Sequence, residues 1–233
     1  MVKFNSMKET NDIRPIRSYV LRQGRLTKYQ ANAVKKFSAA WIIPFEKKPI
    51  EWENHFSNQD ARKIIEIGFG MGTTTAEIAY QLKDDNFIGI EVHTPGVGNL
   101  LNLIMTNELK NLKIIHHDAV EVFESMVEID SLDAIHIFFP DPWHKKRHNK
   151  RRLIQEKFLA TIYPAMKKNS YLHIATDWED YAQWIINTID QFDGLEIKTR
   201  EYFIKPSYRP DTKYEKRGVG LGHKVWDILS VKR

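Results

Sequence analysis

The chain has 233 residues, 42% of them hydrophobic, which is enough for one substantial core and too few to require two domains. Its 35 Lys and Arg residues outnumber its 30 Asp and Glu residues, so the distribution of a modest net charge of +5 matters more than its total. Cysteine is absent, which excludes disulfides, thiolate metal sites and cysteine nucleophiles, and the N-terminus lacks the apolar core of a signal peptide, so a soluble cytoplasmic protein without a membrane partner is expected.

Residues 1–25 are polar and basic and read as a flexible or docked arm. Nine basic and only two acidic residues fall in the first 36 positions. A short helix is expected from Thr27 to Phe37. Trp41, Ile42, Ile43 and Phe45 then form an apolar patch broken by Pro44 and Pro49, so residues 1–50 are expected to be an arm and an extension packed on a single domain of residues 1–233.

A strand and helix alternation begins at Lys63. Strands are predicted over Lys63–Ile67, Phe87–Val92, Leu112–His116, Asp133–Phe139, Ser170–Ala175, Leu195–Arg200 and His223–Val231. Helices are predicted over Thr73–Leu82, Gly98–Leu109, Lys150–Tyr163 and Trp178–Phe192. Short apolar strands alternating with amphipathic helices imply an α/β fold: a doubly wound, mostly parallel sheet covered on both faces. Residues 206–222, rich in Gly, Pro, Lys and Arg, interrupt the pattern as a long loop between the last two strands, the kind of element that carries binding groups.

The sharpest local signal is Glu66-Ile-Gly68-Phe-Gly70-Met-Gly72 at the junction of the first strand and helix. Closely spaced glycines permit tight turning and close approach of a ligand to backbone, beside a helix N-terminus with free N–H groups. Glu91 ends the second strand, where a carboxylate can accept from both ribose hydroxyls of an adenosine. Asp118 follows the third strand, at the height of an adenine amino group, and Glu66 is placed to face a charged amino-acid portion. A dinucleotide fingerprint would place glycine where Thr73 stands, and Gly-Lys-Ser/Thr for a nucleoside triphosphate is missing. A sulfonium cation with an ammonium tail suits these carboxylates best, which makes S-adenosyl-L-methionine the expected cofactor.

After the fourth strand comes Phe138-Phe-Pro140-Asp141-Pro142-Trp143-His144-Lys145-Lys146-Arg147-His148. The prolines stiffen a turn that carries Asp141 over the cofactor crevice. His144, Lys145, Lys146, Arg147, His148, Lys150, Arg151 and Arg152 form a dense basic surface suited to the phosphates of a folded nucleic acid. His144 and His148 have helical ligand spacing, but the positive surroundings argue against a metal, and none is expected. A non-catalytic RNA-binding module would explain the basic residues and leave Glu66, Glu91, Asp118 and Asp141 without a common purpose. An amino-group methyltransferase acting on nucleic acid, with a related catalytic loop, remains a second possibility. A small-molecule methyltransferase would leave the basic arm without a role.

Four blocks in order carry a resemblance to a known family: Glu66–Gly72, Gly89-Ile-Glu-Val-His-Thr-Pro-Gly96, Phe139–His148 and Arg209-Pro-Asp-Thr-Lys-Tyr-Glu215, the last extended by Arg217-Gly218 and by Gly222-His-Lys-Val-Trp-Asp227. Over essentially its whole length the sequence resembles the bacterial tRNA (guanine-N7-)-methyltransferases. The resemblance implies a class I S-adenosylmethionine-dependent methyltransferase fold with six parallel strands and one antiparallel edge strand. It implies methyl transfer to N7 of the variable-loop guanine, position 46, of tRNA, giving N7-methylguanosine and S-adenosylhomocysteine. By the same resemblance Glu66, Glu91, Asp118 and Asp141 hold the cofactor, and Asp141 is also catalytic. Lys145, Asp177 and the segment Thr212, Lys213, Tyr214 and Glu215 match substrate-binding positions. His148 and Arg151 match activity-linked positions, and Arg25, with Arg22 nearby, matches an arginine of the N-terminal arm. Tyr214 stands where many relatives have Phe and keeps the aromatic face. Thr176 or Asp177 could instead cap the following helix, and Thr212 and Glu215 could brace their loop. A monomer and a homodimer are both compatible with the sequence, which predicts no DNA and no obligate protein partner.

Overall fold

The computed structural model describes residues 17–19, 24–198, 205–211, 215 and 224–233. Seven strands form one sheet in the order β3-β2-β1-β4-β5-β7-β6. They are β1 (Lys63–Ile67), β2 (Asn86–Ile90), β3 (Leu112–Ile115), β4 (Leu132–Phe138), β5 (Met166–Thr176), β6 (Leu195–Ile197) and β7 (Trp226–Lys232). β1 through β5 pair in parallel, and β7 pairs antiparallel with both β5 and β6. The antiparallel strand is therefore not at the edge, as the resemblance implied. β6 is the edge, and β7 returns antiparallel between it and β5.

Helices α1 (Lys28–Trp41), α2 (Thr73–Gln81), α3 (Thr94–Thr106), α4 (Ala119–Ser125), α5 (Glu156–Ile162) and α6 (Glu179–Asp190) flank the sheet. Successive strand residues point to opposite faces. Ile64, Phe87, Ile114 and Ala134 pack into one apolar cluster with α2 and α3 residues such as Ile78, Leu100 and Ile104. Ile65, Ile88, Ile90, Ile135, Ile137 and Ile174 pack into the other, with Val122, Phe158, Leu159 and Ile185 from α4, α5 and α6.

The N-terminal extension is part of this packing. Thr27 caps α1 through a reciprocal box with Gln30. Ile43 donates its N–H to the Ile114 carbonyl, and Ile50 to that of Met126. α4 is not among the predicted helices: its seven residues, Ala-Val-Glu-Val-Phe-Glu-Ser, are too few for a helical period to stand out, and Asp118 caps it by accepting from Val120 N–H at 2.9 Å. The helix expected to begin near Lys150 begins at Glu156, and Lys146–Arg151 form a separate 3-10 turn.

Candidate active site

A cavity of about 520 Å³ opens at the C-terminal ends of β1, β2, β3 and β4, where open α/β sheets bind ligands. Gly68, Glu91, Asp118 and Asp141, far apart in sequence, all line it. Gly70 and Gly72 follow Gly68 in the turn between β1 and α2, and Glu66, on β1, is buried beneath the wall.

The glycine turn explains why the wall is so close to backbone. Gly68, Gly70 and Gly72 have φ values of 75°, 58° and 71°, a region that side chains with a Cβ rarely adopt. A Cβ on Gly68 or Gly70 would meet no protein atom within 4 Å, so that space is open to a ligand. The opposite holds at Gly96 on α3, where a Cβ would lie 1.9 Å from the Gly70 carbonyl oxygen. α3 is thereby pressed against the turn.

Glu91 is fixed by three backbone donors, accepting from Gly70 N at 2.8 Å, Val92 N at 2.7 Å and His93 N at 2.9 Å. Its oxygens keep further acceptor capacity for hydroxyl donors. Glu66 is buried at the end of β1. Burial pushes its carboxyl up to about 8; the Thr75 hydroxyl pulls the other way and the Glu91 charge adds to the rise. A cation arriving beside it would compensate a carboxylate that water does not solvate. Open space at the glycines, a fastened strand-end acid and a buried carboxyl awaiting a cation together fit an adenosine joined to an ammonium-bearing chain.

The N-terminal arm reaches the cavity as well. Ser18 and Tyr19 line it. The Tyr19 hydroxyl donates to Asp118 at 2.8 Å, and burial, then the bond to Asp118, pushes the phenol up to about 12. The Trp143 indole donates to the Ser18 carbonyl at 3.0 Å. Sequence reasoning misses both bonds, because no local pattern ties residue 18 to residue 143. His117, also on the wall, stacks on Phe45 with ring centroids 3.8 Å apart.

Asp141 is exposed on the turn after β4. Phe139 and Trp143 on either side have φ values of 51° and 46°, strained for non-glycine residues. Asp141 accepts from Trp143 N–H at 3.1 Å through one oxygen and lines the cavity. Phe138 and Ala175 pair in register, so the segments carrying Asp141 and Asp177 leave neighbouring strands; Asp141 lines the cavity and Asp177 is not among its lining residues. Thr176, not Asp177, accepts from Trp178 N–H at the start of α6, at 3.3 Å.

Arg25, Lys145, Lys146, Arg147 and Lys150 are exposed, and none makes an ion pair among the described residues. Arg151 is half-buried with its guanidinium 4.9 Å from the Trp143 ring centroid. His148 stands edge-on to Trp143, and desolvation, with Arg147 and Arg151 adding, holds its imidazole below the usual range. Arg152 corrects the expectation of a continuous phosphate-binding surface. It is only 1% exposed, donates to the Pro142 carbonyl at 2.9 Å, pairs with Asp180 and lies over the Tyr181 and Trp184 rings. It ties the turn that carries Asp141 to α6, with its guanidinium turned inward rather than to the surface. Glu215, expected at the substrate, is also buried. Thr212, Lys213 and Tyr214, like Arg22, lie outside the described residues. Among the described residues no group of three or more His, Asp or Glu is arranged to hold a metal, and no helix is long and apolar enough to cross a membrane.

A family model described as "Putative methyltransferase" matches residues 60–228. A tRNA (guanine-N(7)-)-methyltransferase of Methylobacillus flagellatus is 51% identical over 225 residues, covering 97% of this chain and 94% of that protein. One of Ralstonia pickettii is 49% identical, covering 97% and 88%. Among solved structures, the 16S rRNA methyltransferase KamB superposes with a TM-score of 0.55 at 12% identity, over 80% of this chain and 93% of that one, which speaks for the fold.

Proposed function

The chain belongs to the tRNA (guanine-N(7)-)-methyltransferase family, and from that premise we propose how its crevice and its basic turn share the work. The function is transfer of the methyl group of S-adenosylmethionine to a guanine N7 of tRNA. When bound, S-adenosylmethionine supplies a methyl carbon activated by its sulfonium. Glu91 takes the ribose hydroxyls, Asp118 the adenine side, and Glu66 the ammonium. Guanine N7 presents a lone pair and carries no proton, so no residue has to act as a general base. The chain must align the purine with the cofactor and exclude water. Asp141 stands on a rigid turn above the cavity, where its carboxylate offsets the positive charge that N7 alkylation leaves on the purine. Asp177, just after the neighbouring strand β5, accepts from guanine N1–H and the exocyclic amino group, which adenine cannot match. Lys145, Lys146, Arg147, His148, Lys150 and Arg151, with Arg25 from the arm, meet phosphates of the folded RNA.

The observation that carries this reading is the position of Asp141, on the wall of the cofactor cavity and at the head of a basic turn that makes no ion pair among the described residues. The test is methylation of bulk tRNA that lacks the modification, followed by nucleoside mass analysis and mapping. N7-methylguanosine at the variable-loop position 46 is expected. Methylation of an exocyclic amine would replace this reading with the amino-group one.

A further inference from the structure

A buried ionic assembly joins β5, β7 and the turn after β4. The Arg209 guanidinium, 1% exposed, uses every nitrogen. Nε and Nη2 donate to the two Asp227 oxygens at 2.5 and 2.7 Å, while Nη1 and Nη2 donate to the two Glu215 oxygens at 2.7 and 3.2 Å. Asp227, on β7, also bonds His173 Nε2 at 2.8 Å, and His173 Nδ1 bonds the Tyr208 hydroxyl at 2.8 Å. The guanidinium carbon is 5.7 Å from the ring centroid of Phe139, the strained residue two before Asp141. One side chain thus touches β7, the loop after residue 205, and the catalytic turn.

We infer that Arg209 is a positioning residue that sets the substrate loop against the catalytic turn, and that Glu215 is its counter-ion rather than a reader of guanine. The inference rests on the activity proposed above. Both Glu215 oxygens face a charged donor inside the protein. Turning them to guanine N–H groups would exchange bonds to a cationic donor for bonds to neutral donors. It would also leave a buried guanidinium with one carboxylate fewer, which is costly where water cannot replace it. Asp211, four residues earlier, pairs with Lys205, whose ammonium is also 3.7 Å from Glu215. Asp211 and Glu215 are therefore both held by ion pairs within the protein.

The test compares full-length enzyme carrying Glu215→Gln, Asp177→Asn or Arg209→Lys on tRNA with guanosine or inosine at the target position. Inosine lacks the exocyclic amino group. Glu215→Gln is expected to raise KM for tRNA about tenfold while kcat at saturating tRNA changes less than about threefold, equally for both bases. Adding Arg209→Lys to Glu215→Gln should cost less than the product of the two single losses, because both break one pair. Affinity for S-adenosylhomocysteine should be unchanged. Loss of guanosine-over-inosine preference in Glu215→Gln, or wild-type kinetics in that variant, would overturn the inference. If Arg209→Lys does not fold, Glu215→Gln decides alone. Preference untouched by both Glu215→Gln and Asp177→Asn would remove the role proposed for Asp177 and leave the Arg209–Glu215 pair supported by its KM effect.

Discussion

The two walls of the crevice are held by different physics. On the cofactor side, backbone does the holding: three glycines with positive φ, an α3 pressed so close that Gly96 has no room for a methyl, and a Glu91 carboxylate bound by three N–H groups. On the side proposed to meet the substrate, two buried guanidinium groups do it. Arg152 joins the Pro142 carbonyl to Asp180, and Arg209 joins Asp227 to Glu215. The first wall tolerates no added atom where α3 meets the glycine turn, at Gly96, and the second tolerates no missing charge. Asp141 stands where they meet, so its removal tests both at once. Asp141→Ala is expected to lower the single-turnover rate by about 100-fold or more, the scale of losing one electrostatic stabiliser of a transition state. Asp141→Asn should be nearly as slow, because the amide keeps the shape and loses the charge. Near-normal rates in both would move the chemistry away from this residue.

The same contrast governs what the sequence discloses. β1 is legible to the residue, and the glycine turn with it, because an apolar strand followed by spaced glycines is a local pattern. The strand-end acids Glu91 and Asp118 are legible for the same reason, by their places after β2 and β3. Arg152 is not. It continues a basic run, and only the packing of Tyr181 and Trp184 from α6 shows that its side chain turns inward. The Trp143–Ser18 and Tyr19–Asp118 bonds span 125 and 99 residues, beyond any local pattern. The place of β7 between β5 and β6 is likewise a long-range outcome. Resemblance carries the step to guanine N7, and the pairing of buried Glu215 with Arg209 motivates the counter-ion role inferred for one residue of the matching block.

Gly96→Ala strikes the cofactor wall alone. With its Cβ placed 1.9 Å from the Gly70 oxygen, either α3 or the glycine turn must shift. We expect a loss of about 2 to 3 kcal/mol in unfolding free energy, together with at least a tenfold weaker S-adenosylhomocysteine affinity. Calorimetry reads the binding and urea unfolding reads the stability. Weakened stability with intact cofactor affinity would show that the turn can yield without losing its function.

Glu66 offers a finer test of that wall through pH. Its carboxyl stays protonated in the folded chain up to about 8, against 4.5 ordinarily, because burial disfavours the charge. Between those values the unfolded chain has lost a proton that the folded chain keeps, so this group's contribution to stability falls as pH rises from about 4.5 through about 8 and is level above. Glu66→Gln removes that slope. The difference in stability between variant and wild type should therefore grow from about pH 6 to about pH 9, in favour of Gln. Binding of an ammonium-bearing ligand should drive ionisation, so S-adenosylhomocysteine binding near neutral pH should release close to one proton in the wild type and none in the variant. Equal proton release in both, read from binding heats in buffers of different ionisation enthalpy, would place the ammonium elsewhere.

The smallest effects belong to the exposed part of the substrate wall, and they show why exposure rather than residue type assigns a role. Lys146 and Arg147 protrude and make no ion pair among the described residues, so each is free to displace one condensed counterion from a phosphate. Replacing either with Ala should weaken tRNA binding only a few-fold. The slope of log affinity against log salt should become shallower by about 0.7 to 0.9 for each phosphate no longer neutralised. Arg152 stands five residues after Arg147 with its guanidinium buried against Pro142, Asp180 and two aromatic rings. Arg152→Ala should lower the unfolding midpoint and the methylation rate while leaving the salt slope as it was. Fluorescence titrations at several salt concentrations separate the two outcomes. A shallower slope from Arg152→Ala, or an unchanged one from both Lys146→Ala and Arg147→Ala, would mean that the RNA does not follow this face of the turn.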